Sequence, residues 1–112
     1  MQADQLRQSI QRIEECADEA KRAVQQGSVP DELRQSVESV HRQLSQAQAQ
    51  MKQQPQMGED SLRDVVLQAE QGCDRAMAAC RNAGGSVDPQ TQQAVQRMHD
   101  ELSSLKKQVQ MQ

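Results

Sequence analysis

No phenylalanine, tyrosine or tryptophan occurs anywhere in this chain. Proteins that grip single-stranded nucleic acid stack its bases on aromatic faces, so that mode is excluded. The same absence removes the bulkiest core fillers and the usual interface anchors, leaving a core of aliphatic side chains. Basic residues are also few, 13 against 16 acidic, for a formal charge of −3. They are interleaved with the acids, which is not the clustered basic footprint of a nucleic-acid binder. Long apolar runs are missing: nothing approaches the ~18 residues of a membrane span. The opening MQADQLRQSI has neither the basic segment nor the apolar segment of a signal peptide. Cysteine is limited to three residues, an odd set. Without an export signal the expectation is reduced thiols in a cytosol.

Glutamine is plentiful, at about a fifth of the chain. The 112 residues are 35% hydrophobic, much of it alanine, so a thin core is expected within a single domain spanning 1–112. The chain is written twice. GSVPDELRQSVESVHRQL, 27 to 44, returns as GSVDPQTQQAVQRMHDEL, 85 to 102. Val37, His41 and Leu44 match Val95, His99 and Leu102. Upstream, Asp4, Leu6, Arg7 and Ile10 match Asp60, Leu62, Arg63 and Val66. The repeat predicts a duplicated helical hairpin, 4–51 and 60–109, with a linker over 53–60 that holds Pro55 and Gly58.

Apolar residues stepping by three and four predict four helices. The first, 4–26, carries Leu6, Ile10, Ile13, Ala17, Ala20 and Val24, with Asp4 as N-cap and Gly27 beyond the end. The second, to about 52, carries Leu33, Val37, Val40, Leu44, Ala47 and Met51. Ser28 with Asp31 has capping-box spacing, and Pro30 falls in the first turn. The third, 61–83, carries Leu62, Val66, Ala69, Cys73, Ala76 and Cys80, with Ser61 and Asp64 as a capping box and Gly84-Gly85 as its stop. The fourth follows an Asp88 cap and Pro89 and carries Thr91, Val95, Met98, Leu102, Leu105 and Val109. Short connections between such helices predict an all-α, antiparallel up-down-up-down bundle with both Gly-Ser-Val turns at one end. Two splayed hairpins closing as a homodimer are the structural alternative. The small residues beyond Ala69, with Gly72 among them, make helix three the expected soft element.

Candidate chemistry is sparse. Cys73 and Cys80 lie about 10 Å apart on one helix face, too far for a disulfide, and both read as small core hydrophobes. Cys16 sits one place off the seam. Counted outward from the turns, Cys16, His41, Cys73 and His99 fall at similar heights, and two thiols with two imidazoles are a zinc ligand set. Their spacing follows no established motif, so no metal or other cofactor is expected and the fold should not depend on zinc. Glu14, Glu15, Asp18 and Glu19 read as a solvated acidic face paired in part with Lys21 and Arg22. No Glu-x-x-His pair, Ser-His-Asp set, phosphate loop or HExxH occurs, so no catalytic residue is assigned.

The doubled GSV hairpin, with its Gln-rich helices and lack of aromatics, resembles small uncharacterised helical-bundle proteins of proteobacteria. That resemblance implies a soluble bacterial protein and brings no site residues with it. The expected function is non-enzymatic binding of a protein partner. Binding of a thiol ligand or a metal at the Cys/His set is the alternative.

Overall fold

A computed structural model describes residues 3–27, 29–54 and 58–110. It is an antiparallel four-helix bundle, 43 × 27 × 17 Å, of α1 (Ala3–Gln26), α2 (Asp31–Gln53), α3 (Glu59–Ala83) and α4 (Pro89–Gln110). Each helix packs on its two neighbours, α1 on α2 and α4, and α3 on α2 and α4. No strand occurs among the described residues. None of the helices is long and apolar enough to cross a membrane.

The seams read from the sequence form the core. Every seam residue of α1 and α4 is buried. In α2 and α3 the last of each, Met51 and Cys80, is only partly buried and packs on the core's edge. Ala79 takes the interior place next to Cys80. The hairpins match in surface detail too. Asp4 lies 3.9 Å from Arg7, and Asp60 lies 3.6 Å from Arg63. Both aspartates are exposed, so these pairs mark the repeat more than they stabilise it.

The start of α4 and the ends of α1 and α3 follow the sequence, and the starts of α1, α2 and α3 depart from it. Asp88 caps α4, accepting hydrogen bonds from the Thr91 backbone N–H at 3.1 Å and the Thr91 hydroxyl at 2.6 Å. α3 stops at Gly84, whose φ of 61° belongs to the left-handed region that glycine tolerates. A single 3₁₀ turn, Gly84–Ser86, leads on. Asp4 lies inside the first turn of α1 rather than at its cap, where its charge still suits the helix dipole. Ser61 is likewise inside α3, because the helix starts at Glu59 behind an extended Gly58. A solvated helix end has water for its free N–H groups and needs no side-chain cap there. Pro30 stands just before α2, one place earlier than expected. Ser28 and Pro55, with the linker's 55–57, lie outside the described residues.

The Asp88 cap has a pH signature. Hydrogen bonds from Thr91 lower its carboxyl below the ordinary 3.8. A lowered folded-state value means the contribution is complete above the ordinary value and fades as pH falls through the lowered one. Hydrogen exchange at Thr91 should therefore accelerate on acidification before exchange at Val95, and Asp88→Ala should remove that difference.

The two turns meet at one end of the bundle. A Cβ on Gly27 would stand 3.3 Å from Asp88 Oδ1, which begins the opposite hairpin's second helix. A close helix approach lies mid-bundle. A Cβ on Gly72 would stand 2.6 Å from Val40 Cγ2, so α3 rests its backbone directly on α2. Small residues bury less area, and close approach restores dispersion contacts in return. The lean half of α3 is thus fully buried at Ala69, Cys73 and Ala76.

Candidate functional site

The repeat extends to a constellation of carboxylate and imidazole side chains that links the two helices of each hairpin. Glu14 and Asp18 are one turn apart on α1 and face His41 on α2. Glu70 and Asp74 hold the same relation on α3 and stand with His99 on α4. The spacing that aligns Asp4 with Asp60 also aligns Glu14 with Glu70 and Asp18 with Asp74. A Glu-x-x-x-Asp pair on one helix and a histidine across the seam therefore occur once per hairpin. Helical geometry explains the pairing, since residues four apart share a face.

The copies differ in how they close. In the first, His41 Nε2 stands between two carboxylates, 3.5 Å from Glu14 Oε1 and 3.3 Å from Asp18 Oδ1. Ser45 donates to the same Glu14 oxygen at 3.2 Å. In the second, His99 Nε2 is 2.9 Å from Asp74 Oδ1. Glu70 is almost fully buried, with 7% of its side chain exposed, and Lys106 Nζ reaches its Oε2 at 3.3 Å. Among the described residues, Glu70, Asp74 and His99 are the trio whose ligand atoms all lie within 4.8 Å of one another. His99 Nδ1 is buried and makes no hydrogen bond.

The Cys/His set drawn from the sequence is not brought together. His41 faces α1, and His99 faces α3 on the other hairpin. Cys16 is half-buried on the α4 side of α1, in the field of Arg97 and Glu101, while Cys73 is in the core. The acidic face of α1 is divided among partners: Asp18 also holds Arg22 at 2.9 Å, and Glu19 lies 3.4 Å from Arg97. Glu70 was not singled out in the sequence, because a lone glutamate beside a seam reads as solvated. Continuing the Asp4–Asp60 alignment ten residues further would have paired it with Glu14.

Burial raises all three thiols above their ordinary value, Cys73 furthest, with the Glu70 and Asp74 charges adding to it. A thiol held in its neutral form is a poor nucleophile. Alkylation with iodoacetamide near neutral pH should label Cys16 and Cys80 slowly and Cys73 only on unfolding. Early labelling of Cys73 in the folded protein, read by peptide mass spectrometry, would contradict this packing.

No family model, curated protein or solved structure matches the chain. The functional reading therefore rests on the chain's own surface.

Proposed function

We propose that this is a non-enzymatic bacterial protein of the cytoplasm that works by binding another protein. The observation that supports the reading is where apolar side chains reach the surface. Met77 and Cys80, both only partly buried, line a groove of about 270 Å³ between α3 and α4 at the turn end. Arg81, Gly84, Gln92 and Gln96 complete it. Methionine adapts its shape to a guest, and arginine at the rim offers a bidentate partner to a carboxylate. The guest that fits is a protein segment with a small apolar anchor and a neighbouring acidic residue.

Photo-crosslinkers at Gln96 and, as control, at Gln48 test this in the native cell. A saturable adduct with one protein at Gln96, lost in Met77→Glu and retained in Met51→Glu, is the expected result. Circular dichroism melts check that both variants fold. Equal adducts at both positions, or none, would overturn the reading.

A further inference from the structure

We propose that Glu70, Asp74 and His99 form a binding site for a divalent transition-metal ion of the zinc class. Two carboxylates and one imidazole are a three-ligand set that leaves a fourth position open to water. Donor atoms around a tetrahedral zinc ion lie about 3.4 Å apart. The trio, within 4.8 Å throughout, reaches that spacing by rotation of the exposed Asp74 and the half-buried His99 toward the buried Glu70.

Three further features point the same way. The constellation occurs in both hairpins, so the Glu-x-x-x-Asp and histidine register belongs to the repeat unit, and only the second copy converges. His99 presents Nε2 to the carboxylates while Nδ1 lies 3.8 Å from Asp100 Oδ1 without a hydrogen bond. A metal-bound imidazole commonly donates its second N–H to such a carboxylate, and Asp100 Oδ1, which accepts from Gln96 Nε2 at 2.8 Å, has a further lone pair to receive it. The Glu70 charge is already met by a cation, because Lys106 occupies the metal's place beside Oε2. The lysine side chain is 35% exposed and swings into solvent when an ion takes over. Its counterpart in the first hairpin's register is Gln48, which carries no charge. The ion is not a fold requirement, since the core is complete beneath the site.

Calorimetric titration of zinc chloride into metal-free protein tests the assignment. A Cys16→Ser and Cys80→Ser background removes the accessible thiols as competing ligands. One equivalent should bind, and Co²⁺ should give the visible spectrum of imidazole and carboxylate ligation. Changes in outer partners alone weaken metal sites by about 10–100-fold, so His99→Ala should cost at least the upper end of that range. Asp74→Asn, a mild change at an exposed position, should also weaken binding, and Asp100→Asn should do so about tenfold. Lys106→Met should strengthen it several-fold, a result that a purely structural Lys106–Glu70 pair does not give. His41→Ala should leave it unchanged. The proposal is overturned if no equivalent binds, if His99→Ala and Asp74→Asn bind as the parent does, or if His41→Ala abolishes binding equally. Failure here leaves the partner groove between α3 and α4 standing, because the two share no residue.

Discussion

Leu102→Ala should destabilise the whole bundle by about 2–5 kcal/mol, and Leu44→Ala by a similar amount. Both leucines are fully buried, and they hold equivalent places in the two hairpins. With no aromatic side chain to fill space, each leucine is among the largest side chains of the core. The loss combines a transfer term with the cavity left behind, and a rigid helix–helix seam collapses only in part. In a chain of this size the melting temperature should fall by about 10 °C or more. The stronger expectation concerns cooperativity. The buried residues of all four helices form one cluster, so each substitution should lower a single transition. Amides of α1 should melt with those of α4 when followed by NMR. If Leu102→Ala unfolded α3 and α4 while α1 and α2 stayed folded, the hairpins would be separate units and a shared core would be disproved.

Gly72→Ala should also destabilise, against the usual gain of about 1 kcal/mol when alanine replaces a mid-helix glycine. The added Cβ would lie 2.6 Å from Val40 Cγ2, closer than real Cβ atoms come. Valine is stiff about χ1 and cannot withdraw within its helix, so the two backbones must separate. Overpacking of this kind costs about 1–3 kcal/mol before the propensity gain is set against it. Val40→Ala alone leaves a void and also destabilises. Combined, the two changes should cost less than their sum by about 0.5–3 kcal/mol, because loss of the two Val40 methyls on α2, Cγ2 among them, makes room for the one gained on α3. Strict additivity in chemical denaturation would mean that α2 and α3 do not touch there. Cys73→Leu, one residue on and fully buried, should be unfavourable for the same reason.

The fold was legible because the seams repeat at helical spacing in all four segments and glycine, proline and aspartate mark the turns. Asp88 and Gly84 act as read. The N-terminal ends of α1 and α3 were misplaced by one to two residues, since capping side chains are optional at a solvated end. The thinness of α3 was visible in Ala69, Cys73 and Ala76. That Gly72 turns it into a close approach was not, because only the partner helix supplies Val40. The histidines stood out by their duplication, and their partners did not. Glu70 and Lys106 are 36 residues apart, and the glutamate's burial is a tertiary fact that helical periodicity does not encode. Cys16 and Cys73 drew attention as metal ligands by residue type and by their height along the bundle, and height says nothing about which seam a side chain faces.

Gly72 against Val40 is a close contact between the two hairpins within one chain, and its nuclear Overhauser effect is the most direct test. In an equimolar mixture of ¹³C-labelled and unlabelled protein, a cross-peak between Gly72 Hα and a Val40 methyl should appear only in the spectrum filtered for contacts within a chain. The same cross-peak between labelled and unlabelled chains would mean that the hairpins splay and close as a dimer, contradicting the bundle described here.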